Sequence, residues 1–242
     1  LVVFRPERRE HRPGPALLIF HGGGYQGGDP YGPAMIAKYL ALTAGLTVFS
    51  ASYTLGSPER PSFPTPVRDC GDALRWVRRN AGEWEVDPDR LLLGGSSAGC
   101  YLAALLALTQ EDPELGGGGA IDGGPVPLKG LLFYWGPLDL VARWFDNGGR
   151  QGGERHLLPA NYPENPTLYH RASPIHYVRP GLPPALLIYG RQDPVVHFRQ
   201  GELTEAAWRA HGNDVELHGF DNIGHGIEGD NITCWLSGDT TT

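Results

Sequence analysis

Leu91-Leu92-Leu93-Gly94-Gly95-Ser96-Ser97-Ala98-Gly99 joins an apolar run to a turn of small residues, and the helix-like run Cys100 to Leu108 follows at once. Consecutive leucines ending in glycine read as a short strand, and Gly95-x-Ser97-x-Gly99 has the spacing of a nucleophile elbow. The reason for that spacing is steric. Strand and helix backbones pass close together at such a turn, so the positions two before and two after the serine must lack bulk. The turn also points the first amides of the helix toward the space beside the serine, where a helix N-terminus favours negative charge. Ser97 is therefore the candidate nucleophile.

Upstream, Ala16-Leu17-Leu18-Ile19-Phe20 is a continuously apolar run, as expected of a strand covered on both faces in a parallel sheet. It leads into His21-Gly22-Gly23-Gly24-Tyr25, where successive glycines are costly unless backbone must approach something closely. Exposed amides are one use for such a loop. Gly23 and Gly24, together with Ala98, are accordingly candidate backbone donors to an oxyanion, and His21 is expected to order the loop. A flexible surface loop is the plainer alternative. Pro33 to Leu42 has helical apolar spacing, and Leu46 to Ser50 reads as the next strand. A proline-rich loop, Ser57 to Pro66, precedes a helix with Val67, Cys70, Leu74, Val77 and Ala81 on one face. Trp76 and Trp84 read as packing. Asp87-Pro88-Asp89-Arg90 reads as a turn into the strand that ends at the elbow.

Downstream, the glycine-rich stretch Gly116 to Gly124 commits to nothing, and Gly130 to Tyr134 reads as a strand. From Gly136 to Pro184 the pattern holds no strand but many bulky apolar residues, which suggests a lid-like insertion or wall over the site. Pro184 to Gly190 restores the strand signal, and Asp193 follows at its carboxyl end, where catalytic groups collect in open α/β sheets. An ordinary Asp-Pro turn is the alternative for that residue. Gln200 to His211 reads as a helix with Leu203, Ala206 and Ala207 inward, and Val215 to Gly219 as a last strand. In the loop beyond, His225 stands between Gly224 and Gly226 and is the candidate general base. Among nine histidines the others have weaker claims. His197 opens a helix and reads as solvated or as a supporting group. His156, His170 and His176 fall in the insertion, and His11, His211 and His218 read as surface.

At 242 residues with a formal net charge of -7 the chain is most simply one α/β domain, and its charge argues against nucleic acid as a partner. No stretch has the length of a membrane span, and no basic run suggests a membrane surface. The first residues lack the pattern of a signal peptide, an expectation that favours the cytoplasm and leaves open a secreted protein whose leader was removed. Cys70, Cys100 and Cys234 are too scattered for a disulfide framework and read as buried thiols. No histidine or cysteine spacing suggests a metal, and no cofactor is implied.

Ser97, Asp193 and His225 in that order, after a glycine loop, resemble the α/β-hydrolase superfamily along nearly the whole chain. Within it the chain looks like the carboxylesterase branch that includes hormone-sensitive-lipase-like esterases and bacterial feruloyl and acetyl-xylan esterases. His21-Gly22-Gly23-Gly24 matches the oxyanion motif and Gly95-Ser96-Ser97-Ala98-Gly99 the elbow. Asp69-x-x-x-Ala73-x-x-Trp76 matches the preceding helix, Ser173 to Val178 the end of the lid, and Gly190-x-x-Asp193 with Gly224-His225-Gly226 the acid and base loops. Ser52-Tyr53-Thr54-Leu55 stands where many hormone-sensitive-lipase relatives carry Asp-Tyr-Arg-Leu, which points toward the feruloyl and xylan esterases. The usual edge strands before residue 16 are expected to be abbreviated or outside the chain. The closing helix is expected to be reduced to residues 227 to 236, with stability drawn from a partner or from further residues. The resemblance implies hydrolysis of small esters with short acyl, aryl or sugar-linked groups through an acyl-enzyme, and it admits a homo-oligomer. An amidase, arylformamidase or peptidase with the same triad is the first rival. A catalytically silent binding protein is the second.

Overall fold

The protein is described by a computed structural model over residues 1–7, 13–116 and 124–226. Val2–Phe4 form a short edge strand, β1, followed by β2 (Gly14–Phe20), in which Ala16 to Phe20 are all buried. Next come α1 (Ala34–Ala44), β3 (Thr47–Ala51), α2 (Thr65–Arg79), β4 (Val86–Ser96), α3 (Ala98–Leu108) and β5 (Gly130–Tyr134). The segment from 136 to 184 carries α4 (Leu140–Asp146) and α5 (Pro166–Arg171) with two 3-10 turns and, as its sequence predicts, no strand. The chain then returns through β6 (Ala185–Gly190), α6 (Arg199–Ala210) and β7 (Val215–Phe220).

These strands form one seven-stranded sheet in the order β1-β3-β2-β4-β5-β6-β7. Only β1 runs antiparallel. The chain leaves β2 toward one edge to make β3, then crosses back to make β4 on the other side of β2. Right-handed crossovers therefore put α1 on one face and α2 and α3 on the other. The reversal between β2 and β4 also opens a crevice at their carboxyl ends, where ligands bind in sheets of this kind. Register makes that crevice narrow: Leu18 pairs with Leu93, Ile19 with Gly94 and Phe20 with Gly95. The two strands thus end level, and the loops that follow them start side by side.

Local sequence accounts for three of the helix boundaries. Gly45 takes a left-handed conformation, with φ of 65°, and its amide closes α1 on the carbonyl of Leu40. The side chains of Asp139 and Asn165 accept from the amides of Ala142 and Leu168 and so cap α4 and α5. Helix α2 buries Val67, Cys70, Leu74 and Val77, the stripe its periodicity predicts. All of α3 is buried, as expected of a helix apolar on every side.

Two expectations need correction. Residues 87–90 do not precede β4 but belong to it: Gly14 pairs with Val86 and Ala16 with Leu91, so β4 spends extra residues as a bulge. The Asp87 carboxylate turns that bulge by accepting from the Asp89 amide at 3.0 Å. In α6, Ala206 is exposed and Leu203 and Ala207 are only half-buried. The inward face is instead Gln200, Gly201, Thr204 and Trp208. Polar Gln200 and Thr204 are buried there because both find partners, which apolar periodicity does not register.

Trp208 is fully buried, meets Phe133 edge to face with ring centroids 6.2 Å apart, and has no hydrogen-bond partner for its indole nitrogen among the described residues. Its contribution among the described residues is therefore packing. Trp208→Ala is expected to cost about 3–5 kcal/mol in urea unfolding, and Trp208→Phe less than about 1.5 kcal/mol. Equal losses for the two variants would mean that the indole N–H matters.

Candidate active site

Ser97 links β4 to α3 with φ of 52° and ψ of -119°, a conformation that costs a non-glycine residue about 1–3 kcal/mol. The surroundings hold it there. The Ser97 amide donates to the Tyr134 carbonyl at 2.9 Å, and the Ser97 carbonyl accepts from the Tyr101 amide at 3.1 Å. A Cβ on Gly95 would fall on the Gly99 carbonyl, and one on Gly99 would strike the carbonyls of Phe20 and His21. The two flanking glycines are thus required by contact.

Asp193 and His225 reach the same place from loops that are packed together. The amides of Arg191 and Gln192 donate to the carbonyls of Phe220 and Ile223 at 2.9 and 3.1 Å. A Cβ at Gly190 would collide with the carbonyls of Ile223 and Gly224. His225 Nδ1–H donates to Asp193 Oδ2 at 2.7 Å, and Ser97 Oγ–H donates to His225 Nε2 at 2.9 Å. The second carboxylate oxygen accepts from the amides of Val195 and Val196, both at 2.8 Å. With its side chain fully buried, Asp193 keeps Nδ1 as the protonated nitrogen and leaves the Nε2 lone pair facing the hydroxyl.

Gly23 and Gly24 have φ values of 127° and 58°, and the Gly23 carbonyl accepts from the amides of Gln26 and Gly27 at 3.2 and 3.1 Å. This tight turn leaves the amides of Gly23 and Gly24 without a backbone acceptor among the described residues. His21 anchors the turn: buried, it donates from Nδ1 to the Gly22 carbonyl at 2.7 Å and stacks on Tyr53 at 4.4 Å. The Tyr53 hydroxyl in turn donates to the His21 carbonyl at 2.8 Å.

Gly23, Gly24, Ser97, Ala98 and His225 all line one cavity of about 340 Å³. Five of the six residues singled out in the sequence therefore meet there, and Asp193 stands directly behind His225. Sequence reasoning missed Tyr25, Trp135, Arg143, Glu154, Val195 and Val196, which also line the cavity. Arg143 Nε pairs with Glu154 Oε1, and Glu154 Oε2 accepts from the Gly152 amide at 2.8 Å. A lone arginine in the apolar run from Leu140 to Phe145 was a signal. Nothing in the sequence pairs it with Glu154.

The remaining expectations resolve individually. His197 is half-buried just before α6, and His211 and His218 are exposed. His156 is buried against the Gly153 carbonyl, while His170 and His176 bond each other at 3.0 Å; none of the three lines the cavity. Cys70 and Cys100 are buried free thiols whose pKa burial pushes up. Trp76 and Trp84 meet Phe49 edge to face. His11, Cys234 and the expected closing helix lie outside the described residues. Among the described residues no helix is long and apolar enough to cross a membrane.

A serine on a strand-to-helix turn, with an aspartate and a histidine from later loops at the carboxyl edge of a mostly parallel sheet, is the arrangement of the α/β-hydrolase fold. The chain belongs to the BD-FAE family, whose profile matches residues 1–207. It is 32% identical over 208 residues to the esterase LipQ of Mycobacterium tuberculosis, covering 85% of this chain and 48% of LipQ. It thus spans about half the length of that relative. The propionate-bound esterase Est2 of Thermogutta terrifontis superposes with a TM-score of 0.77 at 28% identity, covering 97% of this chain and 85% of that one. A truncated carbohydrate esterase from gut microbiota, at 20% identity and a TM-score of 0.80 over 99% of this chain and 90% of its own, shares the fold.

Burial lowers the pKa of His21 from its usual 6.5, so the folded chain prefers the neutral ring. The unfolded chain then binds more protons below pH 6.5, and the stability His21 contributes is full above that pH and declines beneath it. Urea midpoints measured from pH 8 to 5 should fall more steeply for the wild type than for His21→Gln. Parallel curves would exclude His21 as a source of the acid sensitivity.

Proposed function

We propose that this protein is a serine carboxylesterase that hydrolyses small esters carrying short acyl, aryl or sugar-linked groups. The observation that carries the reading is the unbroken hydrogen-bonded line from Asp193 through His225 to Ser97. Residues 1–242 act as one unit in this reading, with the 136–184 insertion as the wall of its substrate pocket.

In the proposed mechanism His225 Nε2 takes the Ser97 proton as Oγ attacks the ester carbonyl. The buried Asp193 carboxylate stabilises the imidazolium so formed. Negative charge on the carbonyl oxygen is met by the amides of Gly23, Gly24 and Ala98, the last at the N-terminus of α3, where the helix dipole adds to the hydrogen bonds. The imidazolium passes its proton to the departing alcohol oxygen, and the acyl group stays on Ser97. Water, deprotonated by His225, then attacks the acyl-enzyme, and the acid leaves as Ser97 regains its proton.

Substrate size follows from the pocket. A cavity of about 340 Å³ lies at the small end of the ~300–1,000 Å³ range of ligand sites. Such a volume favours an acetyl-like group or a single aromatic ring over a long acyl chain. One relative supports the chemistry in two states: Est2 is known in a propionate-bound form and in a form phosphorylated by paraoxon. Phosphorylation by paraoxon is a reaction expected of an activated serine.

The test is hydrolysis of p-nitrophenyl esters from acetate to palmitate, alongside methyl ferulate, acetylated xylan and p-nitroacetanilide. Activity is expected on the short esters and to fall with chain length. Ser97→Ala should lower kcat by about 10⁵–10⁶ without loss of fold by circular dichroism. Turnover retained in purified Ser97→Ala protein would sink the assignment, and preference for the anilide would make the protein an amidase.

A further inference from the structure

Arg143 and Glu154 are the charged pair of the cavity lining, and their side chains are 8% and 4% exposed. Burying two charges is expensive unless further hydrogen bonds use their remaining atoms. Here those bonds lead outward to two separate parts of the site. Arg143 Nη1 donates to the Val195 carbonyl, and the amides of Val195 and Val196 are the pair that grips Asp193 Oδ1. Glu154 Oε2 accepts from the Gly152 amide, and the adjoining Gly153 lies against the glycine loop: a Cβ on Gly153 would stand 3.0 Å from Gly24 Cα.

The pair is itself anchored from behind. Arg143 belongs to α4, capped by Asp139, and Gln200 of α6 holds the amides of Leu138 and Asp139 at 2.9 and 2.8 Å. The Glu154 carbonyl accepts from the amides of Leu157 and Leu158 at 2.9 and 2.7 Å. Buried Tyr25 and Tyr101 lie within the field of the Glu154 carboxylate, and desolvation keeps both phenols neutral.

We propose that Arg143 and Glu154 are positioning residues of the esterase, a strut in the insertion that sets the turn holding Asp193 and the loop carrying Gly23 and Gly24 at one fixed separation. The inference rests on the serine esterase reading. The fork of an arginine suits this role because its separate N–H groups can serve Glu154 and the Val195 carbonyl in fixed directions. Without the fork, the Val195 turn can shift. The carboxylate then supports the imidazolium of His225 less well, and the oxyanion donors lose their alignment with Ser97.

The experiment compares wild type, Arg143→Lys and the double variant Arg143→Met with Glu154→Met on p-nitrophenyl acetate, with paraoxon titration to count active serines. The double variant replaces the pair by apolar groups of similar length and so avoids leaving one buried charge alone. It is expected to fold and to titrate with paraoxon, while kcat falls about 10²-fold and KM changes little. The acid limb of its kcat/KM profile is expected to move to lower pH, because a less supported imidazolium loses its proton more readily. Arg143→Lys, which preserves the charge but replaces the fork with a single ammonium, should move in the same direction by less. Wild-type kcat and an unmoved acid limb in both proteins would overturn the strut. A double variant too unstable to purify leaves the decision to Arg143→Lys, read in the same way. Failure of paraoxon to label the wild type would overturn the esterase reading instead, so the two failures are distinguishable.

Discussion

The structure turns on the contact of the first turn of α3 with the end of β2. Gly99 lies against the carbonyls of Phe20 and His21, and Gly95 against Gly99 itself, leaving no room for a side chain at either position. That approach is possible because β2 and β4 are neighbours that end level, with Phe20 opposite Gly95. Backbone meeting backbone is stiffer than side-chain packing, since neither partner has a rotamer to change. It holds Ser97 at a positive φ and brings the Gly23–Gly24 turn beside it.

The other half of the site is built by similar means beyond β5, where β6 and β7 pair. Gly190 ends β6 against the carbonyls of Ile223 and Gly224, so the loops bearing Asp193 and His225 are pressed together as their strands end. Asp193 spends one oxygen on backbone amides and the other on the imidazole. In the proposed mechanism a carboxylate held in this way costs little reorganisation when charge forms on the ring, the property electrostatic preorganisation requires. The segment from 136 to 184 then reaches both halves through Arg143 and Glu154, which connects a segment without strands to the carboxyl edge of the sheet.

Much of this was legible in the residues. Continuous apolar runs marked β2, β3, β4, β5 and β6, and helical spacing marked α1, α2 and α6, because a buried strand and a one-sided helix must place apolar groups at fixed intervals. The boundaries failed where polar groups take part in the interior. The bulge at 87–90 reads as a turn because Asp-Pro-Asp is turn chemistry, and only pairing with Gly14 keeps it inside β4. The inward face of α6 was misread because Gln200 and Thr204 are buried by satisfied hydrogen bonds, a property of their partners and not of their own hydropathy.

The sequence by itself determined the sheet class, the elbow around Ser97, the glycine loop and the loops that carry Asp193 and His225. These are local matters: which backbone positions tolerate no bulk, and where strands stop. The tertiary structure decided what no local pattern encodes. It set the register that levels β2 with β4 and the 2.7 and 2.9 Å contacts that join residues from three distant loops. It also set the pairing of Arg143 with Glu154, which the sequence does not single out among the charges of that segment. Such contacts depend on the relative placement of elements, and that placement is fixed by packing over the whole sheet.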